Sequence, residues 1–225
     1  MLSERSAGFA AIIGTCIVWG LSPIYYHAIE GTPALTILAH RTIWSLVIFA
    51  LLLGPQGRLG QLTSAIIGPE WSRIVLAALM ISANWFIFIW SVLSGHAVEA
   101  SLGYYMLPLV SVALGVVFLR ETLSGLQWAA VGMAFVAVSV LSWGLGVPPW
   151  IALSIAGSFG IYGLIKKHVR LGPVLSVAAE VAVLAPLALI WLALTGTGQG
   201  FGRDWVQTGL LLGSGLITAL PLVWF

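Results

Sequence analysis

Eight apolar segments of about twenty residues follow one another along this chain, a pattern that leaves few folds open to it. A helix of about 20 residues crosses the hydrocarbon core of a membrane. The segments are continuously apolar, whereas the strands of a membrane barrel alternate apolar and polar residues, so helices are predicted. We expect an all-α polytopic membrane protein with spans at approximately Gly8–Ala28, Ala34–Gly54, Arg73–Ser94, Ala100–Leu119, Gly125–Gly146, Trp150–Ile165, Pro173–Thr195 and Trp205–Phe225.

The composition excludes several other classes of protein. Only 7% of the residues are charged, against roughly a quarter in soluble domains, and the net charge of +2 is too small and scattered to indicate a nucleic-acid partner. Cys16 is the only cysteine, which excludes an intrachain disulfide and a cysteine-based metal site. The chain has neither a P-loop nor an HExxH motif. We therefore expect no enzymatic activity, no cofactor and no metal, with the lipid bilayer as the main surroundings.

The basic residues between spans predict the orientation, because cytoplasmic loops are enriched in Lys and Arg. The N-terminal stretch is interpreted as a retained first span rather than a cleaved signal peptide. If the N-terminus is cytoplasmic, Arg203 is the only Lys or Arg residue between spans on the outer side of the membrane. The Lys and Arg residues on the cytoplasmic side are then Arg5, Arg58, Arg73, Arg120, Lys166, Lys167 and Arg170. The predicted location is the inner or plasma membrane.

One internal offset, of about 140 residues, indicates a repeat. The stretch WGLSPIYYHAIEGTPALTILAH, from Trp19, aligns without a gap on FGIYGLIKKHVRLGPVLSVAAE, from Phe159. Pro33 then corresponds to Pro173, and His40 corresponds to Glu180. Because an odd number of spans separates the two copies, they face opposite ways across the membrane, as in many secondary transporters.

Three stretches resemble the RarD-type permeases of the EamA branch of the drug/metabolite transporter superfamily. They are ILAHRTIWSL, ISANWFIFIWSVLSGHAVEASLGYYMLPLVSVALGVVFLRETLSGLQW and GLITALPLVWF. The resemblance implies two inverted five-helix repeats around a central cavity, with both termini cytoplasmic. On that pattern residues 1–147 form the first repeat, and residues 148–225 form an incomplete second repeat of three helices. The chain then holds eight spans of a ten-helix inverted-repeat bundle.

His40 and Arg41 are two basic residues about 10 Å inside the second span. One interpretation is structural, with Arg41 reaching toward the membrane boundary beside a hydrogen-bonded His40. The other is a role in the translocation path, with His40 and Trp44 on one helix face as a lining surface. Arg41 points about 100° away and is then either a second contact or a strut to a neighbouring helix.

Glu180 takes the position in the seventh span that matches His40 and is the candidate for proton coupling. It is the only acidic residue well inside a span. A carboxyl group there can load and release a proton as a cavity alternates, or else serve as a structural hydrogen-bonding group.

Further polar and aromatic residues near the middle of spans are candidates for contact with a solute. Asn84 and Trp85 lie near the centre of the third span, where an amide needs a partner and either packs helices together or lines a cavity. Trp19 and Trp44 lie well inside their spans, and we expect Trp19, Trp44 and Trp85 to face the bundle interior because an indole N–H needs a partner. Tyr104 and Tyr105 are cavity candidates in the fourth span, close to Pro108.

The sequence thus predicts a secondary transporter, a permease or exporter, that moves small organic solutes or drugs by alternating access. The alternative is a truncated or non-transporting membrane protein that acts as a scaffold or regulatory partner, since the chain ends about two helices short of the family pattern. Substrate, coupling ion and direction do not follow from the residues. The oligomeric state is also left open, including a homo-oligomer.

Overall fold

A computed structural model of the chain describes residues 4–145, 149–197, 201–202 and 204–224. Within those ranges every regular element is helical, which confirms the prediction of an all-α polytopic membrane protein. The helices are α1 (Glu4–Gly20), α2 (Ser22–His27), α3 (Ala34–Leu53), α4 (Leu59–Ile67), α5 (Trp71–Leu93), α6 (Ala97–Leu119), α7 (Gly125–Leu145), α8 (Trp150–Lys166), α9 (Pro173–Thr195) and α10 (Trp205–Trp224).

The described helices include 7 stretches long and apolar enough to cross a membrane, with α1 and α2 counted as one stretch. The shorter α8 is an eighth apolar helix, where the sequence predicts a short span. The break between α1 and α2 follows from Pro23, which lacks the N–H that would bond to the carbonyl of Trp19. The hydroxyl of Ser22 donates to that carbonyl instead, at 2.6 Å.

Residues 1–78 and 169–225 form one compact unit, called unit 1. Its central helix is α3, which packs against both α9 and α10. Gly215 of α10 lies against the backbone of α3, where an added Cβ would be 2.6 Å from the backbone nitrogen of Ser45. Only glycine therefore fits at this crossing.

Within unit 1, α3 and α9 run antiparallel. The indole N–H of Trp191, near the end of α9, donates to the hydroxyl of Thr36 in the first turn of α3, at 3.3 Å. At the opposite end α4, which follows α3, packs against α9. The 140-residue offset places the whole of α3 on a stretch inside α9.

Residues 79–168 form a second compact unit, called unit 2. Here α6 packs against α8, and four small or apolar side chains make the core between them: Leu102, Met106, Ala152 and Ala156. In contrast, α7 leaves nearly all of its described side chains exposed. Neither unit coincides with a predicted repeat, because both contain helices from either side of residue 147. The division into repeats at 1–147 and 148–225 stays a prediction.

Candidate functional site

His40 lies in the second turn of α3 and is buried in unit 1. Its Nε2 is 2.8 Å from the carbonyl oxygen of Thr197, which can only accept, so Nε2 carries the proton. The indole N–H of Trp44 donates to His40 Nδ1 at 3.3 Å, so this second nitrogen is the acceptor. The two bonds together define a neutral imidazole with its proton on Nε2.

The segment that covers His40 comes from the connection between α9 and α10. The ring of Phe201 lies 4.7 Å from the imidazole, measured between centroids, and tilts 40° from its plane. Thr197 belongs to the same connection. His40 and Trp44, which the sequence places on one helix face, are thus hydrogen-bonded to each other, and Thr197 and Phe201 lie against His40.

Arg41 is buried within unit 1 rather than extended toward a membrane boundary. Its Nε donates to the hydroxyl of Thr218 on α10 at 2.8 Å, and Nη1 donates to the hydroxyl of Tyr26 on α2 at 2.7 Å. The guanidinium therefore connects three helices, which is the strut that the sequence left open as one alternative. Tyr26 is itself fully buried, and the neighbouring Tyr25 donates to the carbonyl of Leu210.

Glu180 is fully buried in α9 and accepts a hydrogen bond from the hydroxyl of Ser176 at 3.1 Å. The hydrogen bond between Thr36 and Trp191 shows which residues of α3 and α9 lie side by side. Each residue adds about 1.5 Å along a helix axis, and from that bond the positions of His40 and Glu180 along the axes differ by about 10 Å. Both lie on the pair of helices that the sequence offset relates.

Trp19 is 46% exposed, so the prediction that it faces the interior is wrong. Its indole N–H nevertheless donates to the carbonyl of Ile217 at 3.2 Å. The indole N–H is thus hydrogen-bonded to a carbonyl of α10, although much of the ring remains exposed.

The remaining candidates belong to unit 2. Asn84 is fully buried, and its Nδ2 donates to the carbonyl of Ile155 at 2.9 Å and to the hydroxyl of Ser158 at 3.2 Å. Its Oδ1 accepts from the hydroxyl of Tyr104 at 3.3 Å. The amide thus ties α5, α6 and α8 together, in the manner of the packing role that the sequence left open.

The aromatic candidates of unit 2 differ in their placement. Trp85 is buried, whereas Tyr104 is 37% exposed and packs edge-on against Phe88 at 5.6 Å between centroids. Tyr105 is 81% exposed and points away from the core of the unit. The structure therefore brings Asn84 and Tyr104 together and leaves Tyr105 apart from them.

Sequence reasoning did not identify Tyr26 and Thr218 as partners of Arg41, or Ser176 as the donor to Glu180. Ser176 could have been found, since it lies four residues before Glu180 on the same helix face. Thr218 is 177 residues from Arg41 in the chain, and no local pattern connects them. In the part of the chain that the structure describes, no three His, Cys, Asp or Glu side chains group as a metal site.

Known proteins resemble the chain along nearly its whole length. It is 44% identical to the protein RarD of Streptomyces exfoliatus over 99% of this chain and 72% of that protein. It is 43% identical to the uncharacterized transporter YojE of Bacillus subtilis, over 99% of this chain and 76% of that protein. A chloramphenicol-sensitive protein RarD of Pseudomonas aeruginosa is 31% identical over 95% of this chain and 73% of that protein.

No solved structure matches the chain significantly. The sequence profile of the EamA-like transporter family matches residues 6–143, more than half of the chain. Together with the apolar helices described above, this match and the relatives identify a multi-pass membrane protein. The chain belongs to the EamA-like transporter family.

Proposed function

We propose that the chain is a secondary transporter that carries small organic solutes out across the cell membrane by alternating access, coupled to protons through Glu180. The observation that carries the proposal is the antiparallel pair of α3 and α9, which holds His40 with Trp44 on one helix and the buried Glu180 on the other. Membership of a transporter family supports it. The outward direction rests on the resemblance to exporters.

The His40 and Trp44 pair is the proposed contact for a solute. An imidazole and an indole together offer flat apolar faces and polar edges, which suits an organic solute with a ring and a few polar atoms. In the described conformation His40 is closed off by Thr197 and Phe201. Movement of Thr197 and Phe201 away from the imidazole would uncover His40, and we propose that this movement is part of the change between access states.

Glu180 is the proposed proton carrier. Its carboxyl group lies about 10 Å along the helix axes from the level of His40, so one solute and one proton can occupy separate positions on the same pair of helices. A carboxyl group binds a proton in one conformation and releases it in another when its surroundings change between them. Ser176, which donates to Oε1, is a group whose bond such a change would break.

Efflux from cells tests the proposal. Cells that express the chain are preloaded with radiolabelled amphipathic solutes, among them chloramphenicol, because one relative is named for sensitivity to it. We expect wild-type cells to retain less solute than cells with Trp44→Ala or Glu180→Gln. Trp143→Ala and Glu30→Gln are matched controls at exposed positions, and both should behave as wild type.

Equal retention of every solute in all strains, including cells that lack the protein, would contradict the proposal and favour the non-transporting alternative. Loss of efflux in the two control variants as well would show that the substitutions act through expression or folding. Membrane levels of each variant are therefore measured in parallel.

A further inference from the structure

A cavity of about 210 Å³ lies between α6 and α8 in unit 2. On the α6 side the wall includes Leu107, Leu114 and Leu119. On the α8 side it includes Gly160 and Gly163. Lys167, just after α8, stands at one end. None of these residues belongs to the candidate transport site.

The cavity exists because the two helices diverge toward Lys167. Near the other end a Cβ added at Gly103 would lie 2.8 Å from the Cβ of Ile155, so the helices touch there. An added Cβ at Gly160 would lie 2.9 Å from Leu114, which is still close contact. At Gly163 an added Cβ would meet nothing within 4 Å.

The shape of this groove suits an acyl chain. Leu107 and Leu119 are about 18 Å apart along α6, at about 1.5 Å per residue. One leaflet is half of a hydrocarbon core of about 30 Å, so the groove is about as long as one leaflet is thick. Its walls are apolar apart from the Ser111 hydroxyl and the end at Lys167.

The charges at the Lys167 end suit an anionic headgroup. Lys167 Nζ lies 3.5 Å from Glu121 Oε1, and both side chains are more than half exposed. Arg120 and Lys166 are their sequence neighbours, so the two chain segments that meet at this end carry three basic residues and one acidic residue. Lys166 Nζ lies over the ring of Tyr162, at 5.5 Å from its centroid. Basic pockets between membrane helices bind anionic lipid headgroups.

The backbone fixes the position of the competing carboxylate. Arg120 adopts a left-handed conformation, with φ of 54°, and ends α6. The N–H of Glu121 then donates to the carbonyl of Gly115 at 3.2 Å, which closes the helix end. The Glu121 carboxylate lies beside Gly115, where an added Cβ would be 2.6 Å from Oε2.

We propose that this groove binds an anionic phospholipid, with one acyl chain between α6 and α8 and the phosphate at Lys167 in competition with Glu121. Binding of this kind anchors unit 2 to one leaflet, which the basic residues predict to be the cytoplasmic one. The site is independent of the proposed transport function.

Native mass spectrometry of the full chain in detergent, titrated with phosphatidylglycerol or phosphatidylethanolamine, tests this site. We expect tighter binding of phosphatidylglycerol, weakened about fivefold by Lys167→Gln and strengthened by Glu121→Gln. If the ion pair were purely structural, both substitutions would break it and would change lipid affinity in the same direction. Opposite effects on lipid affinity therefore indicate that Lys167 binds the lipid.

Gly163→Leu fills the groove from a position with open space and should weaken binding by about tenfold, since it displaces about two methylene groups of the acyl chain. Gly157→Leu is the matched control on α8, also with open space but outside the groove. Equal affinity for the two lipids, or no effect of Gly163→Leu on lipid binding, would overturn the proposal. Loss of solute efflux in Gly163→Leu with unchanged lipid binding would assign the groove to solute instead.

Discussion

Replacing Asn84 by leucine should destabilise unit 2, although the two side chains have nearly the same shape. The substitution removes three hydrogen bonds, those to Ile155, Ser158 and Tyr104. Hydrogen bonds between membrane helices contribute about 0.6 kcal/mol each on average. We therefore expect a loss of about 2 kcal/mol in the free energy of unfolding.

The partners of Asn84 limit how large the loss can be. The hydroxyl of Ser158 keeps its own bond to the carbonyl of Ser154 at 2.7 Å, so it is not left unsatisfied. Tyr104→Phe removes the bond to Oδ1 and should cost about 0.6 kcal/mol. In a double-mutant cycle, Asn84→Leu and Tyr104→Phe should show a coupling of similar size.

Unfolding in mixed micelles with increasing sodium dodecyl sulfate, followed by circular dichroism, measures these differences. A variant Asn84→Leu as stable as wild type would refute the reasoning that the amide holds the three helices together. Efflux measured at equal amounts of folded protein separates the two roles left open for Asn84. Unchanged efflux identifies a packing residue, and lost efflux identifies a solute contact.

Two further predictions concern packing and orientation. Gly215→Ala should cost about 1 to 3 kcal/mol in the same unfolding assay because its Cβ meets the backbone of α3, whereas Gly209→Ala, with open space on the same helix, should not destabilise the protein. In a cysteine-free background, Glu30→Cys should react with an impermeant maleimide in intact cells, and Gln56→Cys should react only after permeabilisation. The reverse labelling pattern would contradict the cytoplasmic N-terminus.

The spans could be predicted because length and apolarity suffice to identify a membrane helix. The third helix begins at Ala34 and ends at Leu53, within one residue of the predicted span. The separate α2 was not predicted, since a run of apolar residues does not reveal that Pro23 interrupts the helix. The short α4 was missed because it is too brief to cross a membrane.

Within the candidate site, sequence reasoning worked where neighbours lie on one helix and failed where they lie on different helices. The contact of His40 with Trp44 follows from a spacing of four residues. The contact of His40 with Thr197 spans 157 residues and follows only from the packing of α3 against α9. Trp19 shows the same limit, because the sequence indicates that its N–H needs a partner but not that the carbonyl of Ile217, 198 residues away in the chain, provides it.

Uptake into proteoliposomes driven by a pH gradient tests the proton-coupled transport most directly. The purified chain is reconstituted with a labelled solute that the efflux assay identifies, and accumulation is compared with exchange at equal pH on both sides. We predict that the wild-type protein accumulates solute against its gradient, and that Glu180→Gln still exchanges solute but no longer accumulates it. Equal accumulation by both proteins would contradict the role of Glu180, and absence of any flux with the wild-type protein would contradict transport itself.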